Sequence, residues 1–167
     1  MTSPRILIAC IGNIFLGDDG FGVEVARRLS VRPLPPGVLV QDFGIRSLDL
    51  TYVLLDTWDL VILVDATPFG GEPGDVCLIQ PDSVDPKPSL SFDAHSMNPV
   101  NVLRAVKAMG GPPNRILIVG CEPASCDSDD DGRLGLSEPV AAAVDDAIAL
   151  IDRVIEGRVV ETSVGSV

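Results

Sequence analysis

Leu60-Val61-Ile62-Leu63-Val64-Asp65-Ala66-Thr67 is the stretch on which the fold turns. Five apolar residues run without alternation and stop at a carboxylate. A strand with one wet face would alternate, and an amphipathic helix would break the run with polar residues. An unbroken short run suits a strand buried on both faces, as in a parallel sheet covered by helices. Working outward, apolar runs of strand length recur at 5–11, 38–43, 76–79 and 115–120.

Helical patterns separate most of these runs. Phe21, Val25 and Leu29 share one helix face, and Asp18 or Asp19 is placed to cap its start. A second helix is expected over 47–57. A third opens at Asn98-Pro99, a side-chain cap followed by proline at the first helical position, and ends at Gly110-Gly111. The fourth carries the clearest stripe, through Val140, Val144, Ala147, Ile148, Ile151, Val154 and Ile155. The order β-α-β-α-β-β-α-β-α predicts an α/β fold with a mainly parallel sheet and helices on both faces. The run at 76–79 follows its predecessor without a helix, so an antiparallel strand is expected there. Residues 1–156 read as a single α/β domain, and 157–167 as a small, polar, fraying tail.

The 167 residues suit one domain. Apolar residues make up 46% and charged residues 22%, which excludes wholesale disorder. Twelve Lys+Arg against twenty-four Asp+Glu give a net charge of −12, which repels phosphate backbones and anionic lipid. Aromatic residues are only 4%, too few for a base-stacking surface. Nucleic acid and membrane are therefore not expected as partners. No run approaches the length of a membrane span, and the first apolar run meets Gly12-Asn13 too soon for a signal peptide. Cys10, Cys77, Cys121 and Cys126 form no Cys-x-x-Cys pair, and three of them sit in apolar runs. A reducing, cytoplasmic setting is expected.

In an open α/β sheet, ligands gather beyond the carboxyl ends of the strands. Three polar segments arrive there: Gly12 to Gly20 after the first strand, Asp65-Ala66-Thr67 after the third, and Asp93-Ala94-His95-Ser96 before the third helix. Right-handed crossovers put the start of that helix, and with it His95, at the same edge as Asp65. Two carboxylates and an imidazole there would make a three-ligand metal site with open positions. Each residue also has an ordinary explanation: Asp18 and Asp19 as turn residues, Asp65 as a strand end, His95 as a half-buried histidine. His95 is the only histidine in the chain, however, and Asp65 follows its apolar run directly.

Two further patterns bear on ligand binding. Gly12-x-x-x-x-Gly17 has P-loop glycine spacing, but Asp18-Asp19 stands where Lys-Ser/Thr is required, which disfavours a nucleotide. Asp127, Asp129, Asp131, Gly132 and Glu138 match a calcium loop, D-x-D-x-D-G-x5-E. A calcium loop needs a helix before Asp127, whereas a strand and Glu122-Pro123 precede it. Glu138 is equally explained as a first-turn acid on the last helix.

Taken together, these segments resemble the hydrogenase maturation endopeptidases, which trim the large subunit of nickel–iron hydrogenases. The resemblance rests on Gly12-Asn13-x-x-x-Gly17-Asp18-Asp19-Gly20-x-Gly22, Val64-Asp65-Ala66, Asp93-Ala94-His95, Gly120-x-Glu122-Pro123 and Gly135-Leu136-Ser137. It implies a three-layer α/β/α fold of the phosphorylase/hydrolase-like kind, with a five-stranded mixed sheet. It implies that Asp19, Asp65 and His95 contact nickel, with Asp19 and Asp65 also catalytic and Gly12, Asn13 and Gly44 contacting substrate. Nickel would be supplied by the partner, a hydrogenase large-subunit precursor that loses its C-terminal peptide; calcium is a second candidate ion, at the acidic loop. Two departures stand out. Asp19 replaces a frequent glutamate, and Asp42-Phe43-Gly44-Ile45 replaces Asp-Gly-Gly-Thr. Either a carboxylate acts as general base or the metal lowers the pKa of the attacking water. No Gly-x-Ser-x-Gly elbow is present, and no cysteine has an adjacent base. A nickel-checking chaperone that does not cut is the alternative, and a monomer is expected.

Overall fold

The computed structural model describes residues 2–81, 98–124 and 134–157. Five strands form one sheet: β1 (Ile6–Ile11), β2 (Val38–Gly44), β3 (Leu60–Ala66), β4 (Val76–Ile79) and β5 (Ile116–Cys121). Their order is β2-β1-β3-β5-β4. The pairs β1–β2, β1–β3 and β3–β5 are parallel, and only β4 runs antiparallel, along β5. The described residues also form four α-helices: α1 (Phe21–Ser30), α2 (Ser47–Leu54), α3 (Pro99–Ala108) and α4 (Glu138–Ile155).

Strand alternation divides the core between two sides of the sheet. Ile8, Cys10, Ile62, Val64 and Val119 pack with Phe21, Val25 and Leu29 of α1 and with the Val140–Ile151 stripe of α4. Leu7, Ala9, Val61, Leu63 and Ile118 pack with Leu50 and Leu54 of α2 and Val102 and Val106 of α3. The result is the three-layer α/β/α arrangement. It explains why 60–64 is uninterruptedly apolar: each of its residues faces one helical layer or the other.

Two local expectations need correction. Neither Asp18 nor Asp19 caps α1. Its N-cap is Gly20, without a side-chain bond, and a 3-10 turn over Gly17–Gly20 leads into it. Both carboxylates are engaged elsewhere. The second helix ends at Leu54, not at residue 57. The Asn114 side chain ends it by donating to the carbonyls of Leu54 and Asp56, both at 3.0 Å, and accepting from the Trp58 N–H at 2.9 Å. Helix-end carbonyls need such partners, and here they come from a residue distant in sequence. At α3 the expected cap is present: Asn98 Oδ1 accepts from the Val100 N–H at 2.9 Å.

Asp93, His95, Cys126, Asp127, Asp129, Asp131 and the tail from residue 158 lie outside the described residues.

Candidate active site

The sheet order changes direction between β1 and β3: the chain goes from β1 to β2 on one side and through β3 to β5 on the other. That switch point opens a crevice at the carboxyl ends of the two strands. Gly22, in the first turn of α1, seats the helix directly on it. A Cβ at Gly22 would lie 2.1 Å from the Ile11 carbonyl oxygen and 2.6 Å from that of Val64. The loop from Gly12 to Gly20 is thereby pinned above the ends of both strands.

Within this loop Asp19 accepts a hydrogen bond from the Asn13 N–H, at 2.9 Å on Oδ2. Gly12 packs against the Asp19 carbonyl oxygen, which a Cβ there would meet at 2.0 Å. The Gly12 N–H donates to the Gly44 carbonyl at 3.0 Å. Gly44 follows a register break between β1 and β2, has φ +54°, and donates its own N–H to Asp42 Oδ1 at 2.8 Å. Such a break at a strand end re-aims the chain beside a site. Gly12, Asn13 and Gly44 thus lie together, with their N–H groups engaged in holding the loop.

Asp65, near the end of β3, is buried, with 7% of its surface exposed. Its carboxyl is held well above the usual carboxylate range, first by burial and then by the negative charge of Asp19; a bond from the Ala66 N–H opposes the shift. Asp19 is half-buried, and burial raises its carboxyl too, against the Asn13 hydrogen bond. The charge of Asp19 therefore acts on Asp65, whereas the Asp19 shift comes from its own burial. Such a pair retains one proton more readily than two isolated acids. Among the described residues no third ligating side chain joins them.

Two further acids matter, in roles that no motif or spacing assigns. Asp18 is buried and accepts from the Ala124 N–H at 2.8 Å, the Ser137 N–H at 2.7 Å and the Ser137 hydroxyl at 2.9 Å. It ties the β1 loop to the segment after β5 and to the start of α4. Glu122 Oε2 accepts from the N–H groups of Phe69, Gly70 and Gly71, at 2.7, 3.1 and 3.3 Å, and so fixes the loop that follows Asp65. Neither partner set is local, so no spacing rule points to it. The other candidates are inert or dispersed. Burial pushes the thiols of Cys10, Cys77 and Cys121 up, to about 11 for Cys77 and about 12 for Cys121, so they stay protonated at neutral pH. Glu138 is an exposed first-turn acid of α4.

Comparison with known proteins decides the family. Residues 23–154 match the HycI hydrogenase maturation protease family. The chain belongs to this family of proteases. It is 33% identical over 156 residues to the hydrogenase expression/formation protein HupD of Rhizobium leguminosarum, covering 92% of this chain and 75% of that one. Among solved structures, an Escherichia coli endopeptidase superposes with a TM-score of 0.73 at 27% identity, covering 94% of this chain and 95% of its own. The nickel–iron hydrogenase maturation protease HycI of Thermococcus kodakarensis superposes at 0.67 with 28% identity, over 92% and 93% of the two chains. The three-layer architecture with one antiparallel strand is thus that of a peptidase family, and the hydrogenase maturation proteases are hydrolases. Among the described residues no helix is long and apolar enough to cross a membrane.

Proposed function

We propose that this protein is an endopeptidase that removes the C-terminal peptide from a nickel-loaded hydrogenase large-subunit precursor. Asp19, Asp65 and His95 meet the nickel that the precursor carries. The observation that carries the reading is the Asp19–Asp65 pair at the switch point, with Asp65 buried and raised well above the usual range. A carboxylic acid beside a carboxylate supplies what amide hydrolysis needs. The ionised member takes a proton from the attacking water, and the protonated member gives one to the departing amine. Asp65, the more strongly shifted, is the natural proton holder, and Asp19 the natural base.

The donor set fits a visiting cation. Two carboxyl groups that burial raises, one of them raised further by the charge of the other, are relieved by a positive charge beside them. α3, capped by Asn98, leads through residues 109–115 into β5, which is parallel to β3. That path brings the chain at Asn98, three residues after His95 in the sequence, towards the carboxyl edge.

The test is incubation of the purified protein with precursor carrying nickel and with precursor lacking it, followed by mass measurement of the large subunit. Shortening of the loaded form alone is the expected result. Equal cleavage of both forms removes the role of nickel. A complex with the loaded precursor that never yields product makes the protein a nickel-checking chaperone.

A further inference from the structure

The loop between Asn13 and Gly17 presents Ile14, Phe15 and Leu16 to solvent, 49%, 63% and 54% exposed. Three consecutive exposed large apolar residues are unfavourable on a surface with no partner, and they are expected only where function covers them. The loop is not slack. Asn13 Oδ1 accepts from the Phe15 N–H at 3.0 Å, the Asn13 carbonyl accepts from the Leu16 N–H at 3.1 Å, and the Leu16 carbonyl accepts from the Asp19 N–H at 3.2 Å. The apolar side chains are therefore held out on a fixed turn, which lowers the ordering cost of binding.

Beside this turn lies an open depression of about 130 Å³. Ile14, Val23 and Leu136 are its apolar walls, and Gly17, Gly20 and Gly135 leave it without further side chains. A cavity of roughly 150 Å³ with apolar walls holds a benzene ring, so this one has room for a branched aliphatic side chain. Its one charged lining residue is Glu24. Both Glu24 oxygens are already bonded: Oε2 to Arg27 Nε at 2.9 Å, and Oε1 to Arg27 at 2.7 Å and Arg28 at 3.1 Å. That carboxylate is thus neutralised within α1, so a cationic side chain gains little there. Gly20, which lines the depression, is the residue next to Asp19, so the depression begins one Cα step from the proposed base.

We propose that this depression, with the Ile14–Phe15–Leu16 turn as its lip, is a specificity subsite that takes one aliphatic side chain of the polypeptide substrate near the cut bond. The assignment rests on the proteolytic reading above. It adds that sequence next to the cut, and not nickel alone, selects the substrate.

The experiment uses nickel-loaded precursor in which each of the two residues on either side of the cut is changed, one at a time, to Ala, Leu, Phe or Lys. Cleavage is compared for wild type, Val23→Phe, which fills the depression, and Leu136→Ala, which widens it. Melting curves establish that both variants are folded. At one substrate position wild type is expected to cut the Leu form at least about tenfold faster than the Ala or Lys form. Val23→Phe is expected to erase that ratio, and Leu136→Ala to raise the rate for Phe relative to Leu. Should wild type cut while all three proteins rank the substrates alike at every position, the subsite falls and the protease reading stands. Should wild type cut nothing, the protease reading falls and takes the subsite with it.

Discussion

At Asp65 the chain keeps a carboxyl group where its ionised form is disfavoured, and that has a measurable cost. Its pKa is raised in the folded protein, so between about pH 4, where an unfolded aspartate titrates, and the raised value the folded state binds more protons than the unfolded chain. Stability from this group is therefore fully present below that window and declines as pH rises through it. Asp65→Asn removes the charge and keeps an oxygen to accept the Ala66 N–H. It should melt several degrees above wild type at pH 7, at about 2–4 °C per kcal/mol for a chain of this size. The gain should close as the pH approaches 4, and cleavage should be lost. An unchanged melting temperature at pH 7 would refute the burial argument. The neighbouring acids separate by the same reasoning. Asp18→Ala strips three bonds from a buried carboxylate and should cost about 3 kcal/mol in urea unfolding. Asp19→Ala loses one bond at a half-buried position and should cost about 1 kcal/mol while abolishing cleavage. Equal destabilisation by the two changes would contradict this division. In the sequence these are adjacent, equivalent aspartates. Asp65 was legible as a site residue because it ends an unbroken apolar run, while only the family resemblance picked Asp19 over Asp18. Asp18 was not legible as a clamp, because its partners are 106 and 119 residues away.

Among the secondary-structure elements, what could be read was what depends on runs and periodicity. All five strands and four helices fall where apolar pattern puts them, and β4 is antiparallel because no crossover helix precedes it. What could not be read was where helices stop and what starts them. α2 stops when Asn114 collects its last carbonyls, and α1 starts from a 3-10 turn because its two aspartates are engaged elsewhere. Gly22 joins the two kinds of information. In the sequence it is a poor residue for a helix, about 1 kcal/mol worse than alanine. In the fold its missing side chain allows α1 to sit on the carbonyls of Ile11 and Val64. Gly22→Ala should therefore reverse the usual sign. Instead of stabilising α1 it should cost about 3 kcal/mol or more, because backbone, not a pliable side chain, occupies the space. The urea midpoint measures this, and a stabilised variant would mean that α1 does not rest on the switch point. Processing should fall with it, since the 12–20 loop runs directly into α1.

For the molecule as a whole, the question is who brings the metal. A net charge of −12 attracts cations without choosing among them. The proposed ligand set has two hard oxygens and one imidazole, and nickel prefers richer nitrogen and sulfur coordination. Among the described residues no cysteine joins Asp19 and Asp65 in a group that could hold a metal ion, and Cys10 and Cys121 are buried. Under the proposed function the substrate supplies the soft ligands, and the protein completes a coordination sphere that the precursor has already begun. Free protein dialysed against micromolar nickel should retain far less than one ion per chain, and the loaded precursor should bind it far better than the empty one. Asp19→Ala and Asp65→Asn should each narrow that difference, because each removes a carboxyl group able to ligate the ion. Tight one-to-one nickel in the free protein would overturn the argument, since a site that holds nickel alone has no means of sensing whether the precursor carries it.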